Sequence, residues 1–264
     1  MVKNVKKLLT KQNFLYKIVH VLNQFKGMTK MLNSIVARHD KLTPLSKTEI
    51  KIVGCATRLF LEKGYSVTTH RMISEETGIG LGTITYHYRN KEDLLLLLTE
   101  EMMDFHLGVI EATEEKNGDN LFSYAVEIAM QIALCENNKK AWDLYYAQYS
   151  HPETLLYIKE WAAKKNYQLL KEYTPNLDEP AYRNIENFTS GMEFSALASP
   201  CDRYFTLEDK VRLTLDLMMK AYDIDEEKRK QTIEKVIDLD YEKIAEEMFE
   251  KFTNRLDGSR EEKS

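Results

Sequence analysis

Apolar residues recur at helical spacing along almost the whole chain. Leu15, Ile18, Leu22, Phe25, Leu32 and Val36 stand near a 3.5-residue period, so residues 4–38 read as an amphipathic helix that Gly27 and Thr29 weaken. His39 to Pro44 reads as a linker. Ile52, Val53, Ala56, Leu59 and Phe60 then mark one face of a further helix, which Gly64 closes as a C′ glycine. Thr68 or Thr69 can cap the next helix, because either side chain accepts from free backbone N–H groups. That helix runs to about Thr77, Gly78-Ile79-Gly80 makes a turn, and a third short helix follows from about Leu81 to Tyr88. Asn90, with Asp93 three residues on, opens another helix as a variant of the capping box.

Beyond residue 98 the pattern is helical nearly throughout. Helices are predicted near 98–116, 119–136, 138–149, 152–172, 179–198, 206–222, 225–237 and 239–255, with breaks at Asn117-Gly118, Asn137-Asn138, His151-Pro152, Thr174-Pro175-Asn176 and Ser199-Pro200. The tail from Asp257 is polar.

Composition supports an all-α reading. The 264 residues include only 5 prolines and 10 glycines, too few for the turns of an all-β protein. The net charge of −5 hides an asymmetry. Residues 1–45 carry nine Lys/Arg against one Asp, residues 46–98 seven against six, and the remainder 21 against 35. A basic front on an acidic body lets one end meet a polyanion while the other repels it; acidic helical bodies are also common for their own sake. Three widely spaced cysteines, Cys55, Cys135 and Cys201, form no CxxC pair and suggest neither a disulfide framework nor zinc, which fits a reduced cytoplasm. No apolar run reaches membrane-spanning length, and the lysine-bearing start lacks the features of an export signal.

The stretch Thr69–Lys91 has the physical parts of a helix-turn-helix. Gly78 supplies the positive φ that a steep crossing needs, and Ile73, Ile79, Ile84 and Tyr88 form the small core that fixes it. Leu81, Gly82, Thr83, Thr85, Tyr86 and His87 are then left to line the outward side of a helix suited to the DNA major groove.

The residues from Ile52 to Tyr65, with Ala56, Phe60 and Gly64-Tyr65, followed by Thr68-Thr69, Ile73, Gly78-Ile79, Gly82-Thr83-Ile84 and Tyr86-His87-Tyr88-Arg89-Asn90-Lys91-Glu92-Asp93, resemble the tetracycline-repressor (TetR) family of bacterial regulators. The resemblance covers about a fifth of the chain. It implies a helix-turn-helix domain over 46–98 that binds double-stranded operator DNA, a helical ligand-binding and dimerisation domain over 99–256, a homodimer, and repression relieved by a small molecule. Thr69, His70, Arg71, Gly82, Thr83, Thr85, Tyr86, His87 and Lys91 are the DNA-binding candidates: Arg71 and Thr83 for base or phosphate, Tyr86, His87 and Lys91 for phosphate. The competing readings are that Arg71 is simply solvated, that Tyr86 packs on the first helix, and that Lys91 is only a helix-terminus charge. Three positions depart from the family: Thr85 stands where a phosphate-binding tyrosine is usual, Gly80 replaces Ser or Ala, and Leu81 replaces a polar residue.

In the body, Trp142, Tyr145, Tyr146 and Tyr149 follow i, i+3, i+4, i+7 spacing, the stripe of a core or of a ligand box. Trp142, Tyr145 and Tyr149 are expected to border an apolar effector cavity, with Met130 as an adaptable wall. The resemblance implies a dimer interface on the helices near 179–198 and 206–222, where the small residues Ser190, Gly191, Ser195, Ala196 and Ala198 suit either close approach of a partner or packing within the chain. No cofactor is expected. Gly78-x-Gly80-x-Gly82 lacks the strand and glycine spacing of a dinucleotide site, and there is no GxSxG, HExxH or P-loop. The alternative function is a member of the same fold that acts by binding a partner protein. For residues 1–45 three readings stand: phosphate contacts along DNA, an arm resting on the acidic body, or a true start at Met28 or Met31.

Overall fold

The computed structural model describes residues 46–100, 102, 103, 106 and 119–258, so the basic arm over 1–45 and most of the polar tail lie outside the described residues. Two units divide the chain, 1–50 and 51–264. The described residues are helical without a named strand: α1 (Lys47–Lys63), α2 (His70–Thr77), α3 (Leu81–His87), α4 (from residue 91, described to 100 and at Met102, Met103 and His106), α5 (Asn120–Asn137), α6 (Lys139–Ser150), α7 (Pro152–Leu170), α8 (Glu179–Ala198), α9 (Leu207–Ala221), α10 (Glu226–Ile237) and α11 (Tyr241–Gly258).

Local chemistry sets the boundaries. Gly64 ends α1 at φ 105° and Gly78 ends α2 at φ 68°, both in the left-handed region where a Cβ is strained. Thr69 is the cap of α2, its hydroxyl accepting from the Met72 N–H at 3.2 Å. Thr68, the other capping candidate, instead donates its hydroxyl to the Gly64 carbonyl at 2.7 Å. Asn90 caps α4 by accepting from the Asp93 N–H at 3.0 Å, and the Asp93 carboxylate reaches back to the Arg89 N–H at 2.8 Å. Asp119, Asn138, Asp178, Thr206 and Asp225 cap later helices in the same way, Thr206 and Asp209 forming a full capping box.

Helix α5 is the centre of the larger region. Every side chain from Leu121 to Cys135 is buried, and the helix touches each of α6 to α11. A helix apolar on nearly all sides is stable only when surrounded. The exceptions to its apolar character, Ser123, Glu127 and Gln131, therefore sit in the interior and must find polar partners there.

Candidate nucleic-acid interface and interior cavity

Helices α2 and α3 pack against one another across the Gly78 turn. Ile73 and Ile84 are fully buried, Tyr88 is buried, and Ile79 packs against them half-buried. That small core turns Leu81, Gly82, Thr83, Thr85 and Tyr86 outward, all exposed, with His87 half-buried at the helix end. Tyr86 is 84% exposed and meets the His87 ring edge-on, so it does not pack on α1. The Thr85 hydroxyl donates back to Leu81 and Gly82 carbonyls of its own helix. Arg71 projects from α2 and makes an i,i+4 ion pair to Glu75 at 3.2 Å. Thr69 is exposed and His70 half-buried beside it.

Lys91 has a different setting from the phosphate-facing one expected. Its ammonium donates to the carbonyls of Tyr65 (2.8 Å), Ser66 (3.2 Å) and Thr68 (3.3 Å), and lies 4.1 Å from the Tyr65 ring centroid. All three N–H donors of the side chain are thus taken up by the α1–α2 loop. Burial lowers its pKa from the ordinary lysine value, against the opposing pull of Glu92 and Asp143. Nothing in the sequence signalled these carbonyls, because backbone groups of a loop acquire positions only in three dimensions.

The aromatic stripe of α6 splits. Tyr145 and Tyr149 are buried, Trp142 is half-buried and Tyr146 is 39% exposed. Trp142 donates its indole N–H to the Leu197 carbonyl at 2.9 Å and stacks on Tyr146, whose ring lies 5.3 Å from that of Phe194. Trp142 therefore faces the α8 end of the protein. Tyr145 turns toward an internal cavity that it lines with His106, Glu127, Met130, Gln131, Leu134 and Ala245. The space open to water centres there is about 20 Å³, room for roughly a single water.

One wall of the cavity is a hydrogen-bonded chain. The Tyr145 hydroxyl lies 2.8 Å from His106 Nε2, His106 Nδ1 lies 2.8 Å from Glu127 Oε1, and Lys165 bonds the other Glu127 oxygen. Burial opposes the charge on Glu127, but Lys165 and His106 together outweigh it and hold its pKa below the ordinary carboxylate value. A second set lies along α8. Gln131 donates to the Tyr149 hydroxyl at 3.3 Å, and Tyr149 in turn bonds Glu193. Burial pushes the Glu193 carboxyl up to about 8; the Tyr149 bond resists, Glu186 adds to the rise, and Lys165 resists it again. Glu186 is also raised by burial, and bonds Tyr222 (2.6 Å) and Asn166 (3.1 Å). These glutamates, His106 and Lys165 were missed by sequence reasoning. The available signal was the polar pair Glu127 and Gln131, four apart inside an otherwise apolar helix.

Helices α8 and α9 also carry an outward apolar face. Phe188 is 72% exposed, and Leu213 and Leu217 on α9 are exposed large apolar residues. Of the small residues singled out on α8, Gly191 and Ser195 are exposed, Ala198 is half-buried, and Ser190 and Ala196 are buried within the chain.

A three-helix head with the second helix of a helix-turn-helix exposed has the form of a DNA-reading unit, joined here to a helical body with a polar-walled cavity. Residues 52–98 match the model of the bacterial regulatory proteins of the tetR family. That match places a TetR-family helix-turn-helix at residues 52–98 of the chain. The chain is 26% identical over 145 residues to the biofilm operon icaADBC HTH-type negative transcriptional regulator IcaR of Staphylococcus epidermidis, covering 51% of this chain and 76% of that protein. It is 30% identical over 71 residues to the HTH-type transcriptional regulator TtgR of Pseudomonas putida, covering 27% and 34%. Among solved structures, RolR in complex with resorcinol aligns with a TM-score of 0.55 at 16% identity, covering 69% of this chain and 91% of that one, a likeness of fold.

Proposed function

We propose that the protein is a homodimeric repressor whose operator binding is relieved by a small, largely apolar effector. The observation that carries the DNA-binding part is the outward row of α3: Leu81, Gly82, Thr83, Thr85 and Tyr86 are exposed together on a helix whose opposite side is anchored by fully buried Ile84. Thr83, Tyr86 and His87 on α3, with Thr69, His70 and Arg71 at the start of α2, form the contact set; Lys91 shapes it from behind by holding the α1–α2 loop. IcaR, which this chain spans to three quarters of its length, is by its description a negative regulator.

One recognition helix reads one half-site, so two copies about 34 Å apart, or a multiple, are required to read a full site. Phe188, Gly191 and Ser195 on α8 with Leu213 and Leu217 on α9 supply the dimer face, since exposed apolar residues on adjoining helices gain by being covered. The effector enters beside Tyr145. The polar wall of Tyr145, His106 and Glu127 meets one hydrogen-bonding group, and Met130, Leu134 and Ala245 meet an apolar body. Because the cavity holds only about one water, the effector selects a conformer in which Met130 has moved aside. Tyr149, behind Gln131, supports this wall, whereas Trp142, two turns earlier on the same side of α6, ties that helix to the Leu197 carbonyl of α8.

A mobility-shift assay with duplex DNA from the protein's own gene neighbourhood tests the reading. Binding is expected there, falling steeply with salt; binding that is equally weak on every duplex refutes an operator-reading function and leaves the protein-binding alternative.

A further inference from the structure

The α1–α2 loop is held from two sides through one residue. The Ser66 N–H donates to Asp143 Oδ2 at 2.8 Å, and the Ser66 carbonyl accepts from Lys91 at 3.2 Å. Asp143 belongs to α6 and Lys91 to α4, so Ser66 bridges the two helices that carry Tyr145 and His106. Gly64 leaves room for this. A Cβ at position 64 would lie 3.0 Å from Asp143 Oδ2, and the residue's φ of +105° already excludes most side chains. The junction is extended by Tyr65, which donates to Glu92 at 3.1 Å and lies 3.3 Å from Nε2 of His151, the residue that ends α6.

We propose that Asp143 is a positioning residue that locks the DNA-reading head to α6, so that a shift of α6 at the effector site is passed to the head through Ser66 as well as through α4. The inference rests on the reading of the chain as a DNA-binding regulator with its effector site beside Tyr145. The geometry follows from helix periodicity. Residues two apart differ by about 200° around an α-helix, so Asp143 and Tyr145 point to opposite sides of α6. Tyr145 is therefore turned to the interior chain of His106 and Glu127 while Asp143 is turned to the head. Between them Trp142 ties the same turn of α6 to the Leu197 carbonyl of α8. A displacement of Tyr145 that rotates α6 changes the position of the Asp143 oxygen. Ser66 then follows α6, follows α4, or loses one of its two backbone bonds.

Two measurements on the full chain test this. In amide hydrogen exchange, Asp143→Ala is expected to speed exchange at Ser66 by about tenfold while leaving the α5 amides unchanged, whereas Asp143→Asn, which keeps an accepting oxygen, stays within about threefold of wild type. In the second, wild type selects its site from randomised duplexes. That site is then remade with a single base pair added between its halves. Wild type is expected to lose about tenfold in affinity on that insertion, and Asp143→Ala less than about threefold, because a loosened head tolerates altered spacing. Unchanged Ser66 exchange overturns the lock. Faster exchange with undiminished spacing discrimination overturns the positioning role. A wild-type chain that retains no duplex overturns the DNA-binding reading itself, and is told apart because the exchange difference at Ser66 persists.

Discussion

Replacing Glu193 by Gln tests the interior electrostatics directly. Glu193 is buried on α8, and burial is the largest reason its carboxyl titrates near 8 rather than 4.5. Below pH 4.5 the folded and unfolded states both hold this proton. Between 4.5 and 8 the folded state holds it and the unfolded state does not, so the unfolded state binds fewer protons and stability falls as pH rises, by about 1.4 kcal/mol per pH unit. Above 8 this dependence ends. At pH 7 the accumulated loss is about 3 kcal/mol. Glutamine has the same shape, keeps a partner for Tyr149 and carries no charge in either state, so the variant lacks this loss. Urea unfolding at a fixed protein concentration, followed by circular dichroism from pH 4 to pH 8, is the assay. Glu193→Gln is expected to match wild type near pH 4 and to exceed it by about 3 kcal/mol at pH 7, with an unchanged m-value. Glu186, raised mainly by its own burial, is present in both proteins, so that burial-driven slope is common to the two. A stability difference that stays constant to within about 0.5 kcal/mol across this range refutes the assignment of a neutral Glu193.

Tyr86→Ala is expected to weaken binding to the selected duplex by about tenfold or more without lowering the melting temperature, because its ring is exposed and supports no core; unchanged binding in a mobility-shift assay rejects the contact face. Gly78→Ala is expected to destabilise the chain by about 1 kcal/mol, through left-handed backbone strain alone, since no atom lies within 4 Å of the added Cβ; chemical unfolding measures it. Phe188→Glu combined with Leu217→Glu is expected to yield a monomer in light scattering at micromolar concentration, by bringing four carboxylates into one apolar isologous face; a persistent dimer moves the interface elsewhere.

Much of the fold is legible in the chain because its determinants are local. Gly64 and Gly78 stop helices through their own φ, Asn90 and Asp93 start α4 through bonds spanning three residues, and the 3.6-residue period separates buried Ile84 from exposed Thr83, Thr85 and Tyr86. The exposed face of α3 was readable for the same reason: which side of a short helix is apolar says which side remains. Tertiary structure decided what depends on neighbours distant in sequence. Lys91 looked like a free cation at a helix start, and only the packing of α4 under the α1–α2 loop brings three carbonyls to its ammonium. Trp142, Tyr145 and Tyr149 share a stripe in sequence, but α8 captures the indole of Trp142 while α4 captures the hydroxyl of Tyr145. The charge state of Glu193 is set by surroundings drawn from α5 to α8, and the Ser66–Asp143 bond spans 77 positions. Hydrophobic period and capping fix where helices lie; burial and hydrogen-bond satisfaction across the bundle determine what their polar side chains do.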